Sequence, residues 1–325
     1  MLSTTRADTS SNVPVQVGEV RTTSTLMLVR RDLKRNVNIY IIVLPVIVYY
    51  FVFHYMPMYG ALIAFKDFRP ALGVWGSRWV GFRHFVDFFQ SYYFWRLVGN
   101  TLALSVYTLI FGFPAPIILA LLLNELRGVL FKRTIQSITY IPHFISMVVV
   151  CGIIIDFVKQ DGIITALLSG LLGYDGNLLL RTEYFRPIYV ISGIWQTVGW
   201  GSIIYLAALS SISDELYEAA RIDGAGRWKQ TWHITLPGLL PTVTILLILN
   251  LGNLMNVGFE KVMLLYNPRI YDTADIISTF VYRRGILDAQ FSFTAAVGLF
   301  NSVINCGLVV SANWLSRRLT ENSLW

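Results

Sequence analysis

The residues whose types and spacing suggest a specific task lie between Ser213 and Pro237, in a polar, charged segment between two apolar runs. We name this segment the polar island. Its first residue, Ser213, is followed by Asp214, Glu215 and Glu218. A serine oxygen can accept a hydrogen bond from a free backbone N–H group, and carboxylates favour the positive end of a helix. The island is therefore expected to begin with a short helix.

One face of this predicted helix consists mostly of small side chains, so another surface can approach it closely. Spacings of three, four and seven residues place four positions on that face: Leu216, Ala219, Ala220 and Asp223. The glycines of Gly224-Ala225-Gly226 then allow the chain to end the helix and bend.

The last part of the island predicts a stiff connection to the following apolar run. From Arg227 onwards, Trp228 and Trp232 are four residues apart on one side of an amphipathic stretch that ends at Pro237. The island thus predicts a docking helix, a bend and a lever. Taken alone, an interfacial loop whose tryptophans lie among lipid headgroups is an alternative interpretation.

No residue pattern elsewhere in the chain indicates catalysis. The sequence has no Gly-Lys pair and so no phosphate-binding loop of the Gly-x-x-x-x-Gly-Lys-Ser/Thr type, and it has neither His-Glu-x-x-His nor Gly-x-Ser-x-Gly. Cys151 and Cys306 lie in apolar runs without metal-ligand spacing. The 26 basic residues are spread over the polar segments and form no stripe suited to nucleic acid. We expect no enzymatic activity, cofactor, metal site or nucleic-acid partner in this chain.

The elements that must position the island are transmembrane helices. The chain has 325 residues, of which 55% are apolar and 14% charged, and its mean hydropathy is +0.57, which is typical of an integral membrane protein. Crossing the hydrocarbon core takes ~20 apolar residues, and the backbone must be helical there. The sequence therefore predicts an all-α protein with six spans: 38–56, 97–123, 134–155, 187–211, 233–256 and 291–315.

The basic residues around the first span predict the orientation. Four of them lie between Arg30 and Arg35, directly before the span, and the next one after it is Lys66. Positive charge close to the first span usually stays in the cytoplasm, which places both termini and a loop over 213–232 there. The expected organisation is a polar tail over 1–37, the first span, an outer loop over 57–96, a five-helix core over 97–315 and a cytoplasmic C-terminus over 316–325.

The outer connections are predicted to differ in character. The loop over 57–96 is rich in aromatic residues suited to the membrane interface, and Asp161 to Tyr174 has the leucine and isoleucine spacing of a short amphipathic helix. The segment from Val257 to Gln290 is expected to be a polar loop. Pro114 and Pro116 in the second span, and Pro237 and Pro241 in the fifth, predict kinks or breaks.

Polar and aromatic residues inside the last three spans are candidates for a solute path, because they can hydrogen-bond to and stack on sugar rings. They are Trp195, Gln196, Tyr205, Asn250, Asn253, Asn256, Asn301 and Asn305. An equally weighted alternative is that these side chains hold helices together by hydrogen bonds, worth ~0.6 kcal/mol each on average. The predicted spans contain no Asp, Glu, Lys or Arg, which argues against an ion-coupled carrier.

The polar island also resembles a known signature. Glu218-Ala219-Ala220, Gly224 and the ending Ile234-x-Leu236-Pro237 are similar to the cytoplasmic motif of permease subunits of binding-protein-dependent ABC importers. The resemblance covers most of the chain. Trp79 to Leu102 is similar to the segment that leads into the core of these permeases. The region from Asn256 to the terminal Ser-Leu-Trp resembles the branch that serves oligosaccharides derived from complex polysaccharides, including the first permease of alginate-type importers.

The resemblance implies a type I ABC permease fold with six transmembrane helices and a cytoplasmic coupling helix. It implies as partners a second related permease, two ATPase subunits that bind ATP and Mg²⁺, an external solute-binding protein and an oligosaccharide substrate. It further implies that the island docks on an ATPase through Leu216, Glu218, Ala219, Ala220, Arg221, Asp223, Gly224 and Ala225. A permease for an amino acid, peptide or polyamine remains the alternative, and an ion-coupled carrier is a weaker one.

Overall fold

The computed structural model describes residues 34–126, 128–173 and 176–320. Most of the tail expected over 1–37, and the terminal Ser-Leu-Trp, lie outside the described residues. The described residues divide into two compact units, with the boundary between Tyr59 and Gly60. Within the first unit, a helix over Val37–Tyr50 continues as a π-helical turn over Phe51–Tyr55 and a helical turn over Met56–Met58.

The second unit is a bundle of helices of very different lengths. Its first half contains 3₁₀ turns at Tyr59–Phe65 and Pro70–Leu72, and helices over Gly73–Gly76, Arg83–Phe89, Phe94–Tyr107, Pro114–Asn124, Val129–Tyr140, Met147–Val158 and Ile163–Leu172. Its second half contains helices over Thr182–Leu209, Asp214–Ile222, Arg227–Gln230, Leu236–Gly252, Phe259–Leu265, Tyr271–Ala274, Ile277–Tyr282 and Phe291–Thr320. Within the described ranges, the strands are β1 (Lys66–Asp67) and β2 (Arg78–Trp79), an antiparallel pair in the segment before the second span.

Five helices of the described chain are long and apolar enough to cross a membrane. They cover Val37–Phe65, Phe94–Asn124, Thr182–Leu209, Arg227–Gly252 and Phe291–Arg318. These confirm five of the predicted spans, although the fourth and fifth begin and end several residues earlier than predicted. The fourth span now includes Glu183 and Arg186, and the second includes Arg96, so ionisable residues do occur in the observed helices. The sequence-based boundaries stopped at these charges, whereas the helices continue past them.

The third span is not the continuous helix expected over 134–155. Two segments, Val129–Phe144 and Met147–Gly170, meet at an angle of 100°. The break lies at Ile145 and Ser146, whose backbones are extended, with ψ 134° and 146°, after a 3₁₀ turn over Ile141–Phe144. Pro142 lacks a backbone N–H and so removes one α-helical hydrogen bond at this turn. A new helix then begins after Ser146, whose side chain accepts a hydrogen bond from the backbone N–H of Val149.

In three spans a proline lies two residues after the end of a π-helical turn. Such turns occupy Phe51–Tyr55, Thr108–Gly112 and Thr231–Thr235, and they precede Pro57, Pro114 and Pro237. A proline cannot donate the usual helical hydrogen bond and clashes with the carbonyl four residues earlier, so a wider turn accommodates it. The expected irregularity near Pro114 and Pro237 therefore takes the form of a π turn.

The segment from Val257 to Gln290 is not the polar loop that its composition suggested. Much of it consists of short helices that pack between the spans, and it supplies fully buried side chains to the main hydrophobic cluster. These include Val262, Ile270 and Ile276. We name residues 257–290 the inserted segment. Its apolar residues bury their surface in the core, which outweighs the polar character of the intervening positions.

Candidate functional site

The helix predicted at the start of the polar island is present over Asp214–Ile222. The hydroxyl oxygen of Ser213 accepts a hydrogen bond from the backbone N–H of Glu215 at 3.3 Å, and two carboxylates lie in the first turn. Arg221 lies in the last turn, where a positive charge is favourable. Capping and charge therefore stabilise a helix that is too short to be stable by itself.

The predicted bend is also confirmed. Gly224 has φ +77°, a left-handed conformation, and its backbone N–H donates to the carbonyl of Arg221 at 3.1 Å. The backbone N–H of Ala225 donates to the carbonyl of Ala220 at 2.8 Å. These bonds satisfy carbonyls at the end of the helix, and the left-handed residue turns the chain towards the fifth span.

Side chains tie the docking helix to the fifth span beyond the bend. The hydroxyl groups of Tyr217 and Thr235 are 3.1 Å apart, and the amide nitrogen of Gln230 donates to the carbonyl of Ala225 at 2.7 Å. Arg227 forms an ion pair with Glu125, at the end of the second span, at 3.4 Å. These contacts connect the helix to the fifth span, and the fifth span to the end of the second.

Most of the residues that were assigned to ATPase docking are exposed on the helix over Asp214–Ile222 and at the bend. Leu216, Glu218, Ala219, Arg221, Asp223 and Gly224 are exposed, whereas Ala220 and Ala225 are half-buried. Ile222 is 87% exposed, and the exposed Trp228 lies just after the bend. Sequence reasoning did not assign these two to docking, although an isolated isoleucine in a charged helix was a visible signal. Together with Leu216 they provide apolar area on a polar surface, which is typical of a protein interface.

Three of the candidate path residues line one cavity. Gln196, Tyr205 and Asn250 surround a volume of about 490 Å³ between the second, fourth and fifth spans. Gln196 and Tyr205 are buried. The cavity is also lined by Trp200, whose ring stacks on His143 at 4.7 Å with an interplanar angle of 3°.

Three other candidates form an amide cluster between the fifth and sixth spans. The side-chain oxygen of Asn256 accepts hydrogen bonds from the amide nitrogens of Asn301 at 3.0 Å and Asn305 at 3.2 Å. The oxygen of Asn305 in turn accepts from the backbone N–H of Met255 at 3.0 Å. These contacts match the alternative in which the amides hold helices together.

The remaining two candidates lie apart from the large cavity. Asn253 donates to the carbonyl of Leu249 and lines a cavity of about 190 Å³ that it shares with Asn250 and Asn256. Trp195 lines a separate apolar groove against Ile154 and Phe157. The eight candidates therefore lie in several surroundings, and Asn250 borders both the larger and the smaller cavity.

The inserted segment supplies charged groups that sequence reasoning missed. The carboxylate of Asp275 is fully buried, pairs with Arg283 at 2.7 Å and Arg96 at 3.5 Å, and accepts a hydrogen bond from the hydroxyl of Thr279 at 2.8 Å. The ammonium of Lys261 donates to the carbonyl of Tyr189 at 2.9 Å, and burial lowers the pKa of Lys261 to about 8. The burial of Lys261 and Asp275 was indicated by the apolar residues next to them in the sequence, Val262 and Ile276.

Comparison with known proteins places this geometry in a family. Residues 112–321 match the family model described as a binding-protein-dependent transport system inner membrane component. The chain is 46% identical over 294 residues to protein LplB of Bacillus subtilis strain 168, covering 90% of this chain and 92% of that protein. It is 44% identical to the polygalacturonan/rhamnogalacturonan transport system permease protein YteP of the same organism, covering 88% and 90%.

A solved structure shares the same fold. The chain matches a bacterial ABC transporter involved in the import of the acidic polysaccharide alginate, with 44% identity and a TM-score of 0.83, over 90% of this chain and 99% of the other. A chain of a second solved structure, a bacterial alginate ABC transporter in complex with an alginate pentasaccharide-bound periplasmic protein, is 43% identical to this chain, with a TM-score of 0.83. The chain therefore belongs to the binding-protein-dependent transport system inner membrane components, and its fold is that of an ABC importer permease.

Proposed function

We propose that this chain is one permease subunit of an ATP-driven importer that carries oligosaccharides across the bacterial inner membrane. In this proposal it pairs with a second, related permease and with two cytoplasmic ATPase subunits, which bind ATP and Mg²⁺. A solute-binding protein delivers the oligosaccharide from outside. Both termini and the polar island lie in the cytoplasm.

The observation that carries the proposal is the exposed docking helix linked to the fifth span. ATP-driven closure of the ATPase subunits displaces the helix, and the contacts of Tyr217 and Gln230 pass this displacement to the fifth span. The fifth span borders the cavity at Asn250, so its movement changes access to that cavity. Alternating access then follows from rigid movement around the solute path.

An oligosaccharide is the substrate class that the relatives support best. YteP is named for polygalacturonan and rhamnogalacturonan, a more distant relative, AraP, for arabinooligosaccharides, and the solved transporter imports alginate. The cavity contains the amides and aromatic rings that a sugar needs for hydrogen bonding and stacking. Its hydrophobic lining with few polar groups is typical of a small-molecule site.

Reconstitution of the complete complex in proteoliposomes tests the proposal. The measured quantities are uptake of labelled solute and ATP hydrolysis, with the binding protein loaded with trigalacturonate, arabinotriose, a dipeptide or an amino acid. We expect uptake and stimulated hydrolysis with an oligosaccharide alone. Stimulation by amino acids or peptides only would contradict the sugar assignment, and uptake driven by an ion gradient without the ATPase subunits would indicate a carrier.

Labelling of a single cysteine tests the proposed orientation. Cys151 and Cys306 are first replaced by serine, and Ser213→Cys supplies an exposed thiol in the polar island. A membrane-impermeant maleimide is expected to label this thiol in inside-out vesicles and not in right-side-out vesicles. The reverse pattern would place the island outside and remove the basis for ATPase docking.

A further inference from the structure

We propose that the ammonium group of Lys261 binds a sugar carboxylate, so that the cavity between the second, fourth and fifth spans accepts acidic oligosaccharides. This inference rests on the proposed function and adds to it a substrate class and a residue that recognises it. The buried position of Lys261, its lack of a carboxylate partner and the composition of the cavity each support this assignment.

Lys261 is a buried cation that the described part of the chain does not neutralise. The residue is 4% exposed, and no carboxylate among the described residues lies within the 4.0 Å of an ion pair from its nitrogen. Its hydrogen bond to the carbonyl of Tyr189 uses one of the three N–H donors of an ammonium group. A buried charge is unfavourable unless it is paired, so this position favours an incoming anion.

Asp275, the other buried charged residue of the inserted segment, differs from Lys261 in its partners. Asp275 is compensated within the chain by Arg283 and Arg96, which is the arrangement expected of a structural ion pair. Lys261 is almost as deeply buried but has a carbonyl as its hydrogen-bond partner. A purely structural role would be served by a neutral donor, without the desolvation of a charge.

The surroundings of Lys261 leave room for a ligand. It lines the cavity of about 490 Å³ together with Gly193 and Gly258. A Cβ atom at Gly193 would lie 3.3 Å from the ammonium nitrogen, so the glycine avoids a side chain directly over the charge. Gly193 therefore borders the ammonium on the side of the fourth span.

The same cavity offers groups for the neutral part of a sugar. Gln196 and Asn250 carry amides that can donate to and accept from ring hydroxyls, and Trp200, stacked on His143, offers an aromatic surface. The ammonium adds a compact charge, which a carboxylate matches with a charge-assisted hydrogen bond. An acidic sugar uses all three kinds of group, whereas a neutral sugar leaves the charge unpaired.

Binding of two trisaccharides to the detergent-solubilised complex, without the binding protein, tests the inference. Trigalacturonate carries a carboxylate on each ring, and α-1,4-linked galactotriose carries hydroxymethyl groups at those positions. Thermal stabilisation of the complex as a function of sugar concentration gives an apparent Kd for each. For the wild type we expect trigalacturonate to bind about tenfold or more tightly than galactotriose. The reason is that its carboxylate forms a charge-assisted hydrogen bond with Lys261 that galactotriose cannot form.

Three variants assign the preference to Lys261. Lys261→Gln is expected to abolish the preference for trigalacturonate, and Lys261→Arg to retain most of it. The matched control, Lys34→Gln, removes an exposed positive charge before the first span and is expected to leave the preference unchanged. If Lys261→Gln keeps the wild-type preference, or if the wild type binds the two sugars equally or not at all, the inference is wrong.

A pH titration of the wild type provides a second measurement that needs no variant. Because burial lowers the pKa of Lys261 to about 8, raising the pH from about 7 to about 9.5 removes the proton and should reduce the preference. The titratable groups that neighbour Lys261 or line its cavity are Cys151, Glu260, Tyr189, Tyr205 and His143. Repeating the titration with Cys151→Ser separates the thiol from the amine. A preference that does not change with pH would overturn the inference.

Failure of this inference can be distinguished from failure of the proposed function. Oligosaccharide uptake by the complete complex, with no difference between the wild type and Lys261→Gln in sugar preference, would remove the inference and leave the proposed function intact. Absence of oligosaccharide uptake by the wild-type complex would contradict the proposed function itself.

Discussion

The polar island and the inserted segment flank the fifth span, and both interrupt the apolar sequence with charged residues. In the island the charges are exposed, and the structure depends on local hydrogen bonds within a few residues. In the inserted segment the carboxylate of Asp275 is buried, and it pairs with Arg96, which lies far away in the sequence. The first arrangement suits a surface that docks on another protein, and the second suits a part of the bundle that must hold its shape.

The largest expected effect of a substitution is the loss of the buried carboxylate. Asp275→Asn leaves Arg283 and Arg96 without a counter-charge, and breaking a buried pair in this way typically costs ~3–5 kcal/mol. We expect a large decrease in the thermal midpoint of the purified chain and poor assembly of the complex. Asp272→Asn is the matched control, because the Asp272 side chain is 80% exposed and its pair with Arg96 contributes little. Equal effects of the two variants would contradict this account of the inserted segment.

A smaller effect is expected at the bend of the polar island. Gly224→Ala places a side chain at φ +77°, which costs about 1–2 kcal/mol, although a Cβ atom there meets nothing within 4 Å. This corresponds to roughly a five- to thirtyfold lower population of the observed bend, so substrate-stimulated ATP hydrolysis should fall. Gly226→Ala is the control, because Gly226 has φ −68° and equally open surroundings. A decrease of the same size in both variants would rule out the bend as the cause.

Loss of the hydrogen bond between the docking helix and the fifth span is expected to have a still smaller effect. Tyr217→Phe removes a contact of 3.1 Å with Thr235 and should weaken the link by about 1 kcal/mol. The measurement is the amount of sugar imported per ATP hydrolysed. Thr235→Val removes the other hydroxyl, so combining the two substitutions should add little to either one. Full additivity would show that the two hydroxyls act independently.

The smallest effect is expected for the ion pair between Glu125 and Arg227. Their side chains are 49% and 56% exposed, and an exposed pair contributes ~0.2–1 kcal/mol. Glu125→Gln should leave uptake within about twofold of the wild type at physiological salt. A larger loss of uptake would show that this contact, and not the link through Tyr217, carries the displacement.

The contrast between the two regions also explains what could be predicted from the sequence. Ser213, Gly224 and the acidic first turn act through local rules of helix capping and bending, so the helix over Asp214–Ile222 could be placed in advance. The break after Phe144 also has a local cause, but the continuous apolar run from Thr134 to Ile155 favoured an unbroken span. Pro142 and Ser146 favoured a break, but the apolar run around them was given more weight.

The burial of Lys261 and Asp275 could not be predicted in the same way. Their partners lie on distant elements, and the composition of the inserted segment is that of a solvated loop. Among the candidate path residues, Asn301 and Asn305 lie four residues apart on one helix, but their common partner Asn256 depends on how distant parts of the chain pack. Pairings between distant elements require the fold, whereas caps and bends do not.

The measurement that tests the central claim most directly is the coupling of ATP hydrolysis to uptake when the docking face is blocked. Ala219 is exposed on the helix, so Ala219→Trp should leave the fold of the permease unchanged, with Ala219→Ser as the small-residue control. In proteoliposomes that contain the complete complex, we expect Ala219→Trp to lose both uptake and substrate-stimulated hydrolysis, while Ala219→Ser retains them. Wild-type uptake and hydrolysis by Ala219→Trp would contradict the claim that energy enters through the polar island.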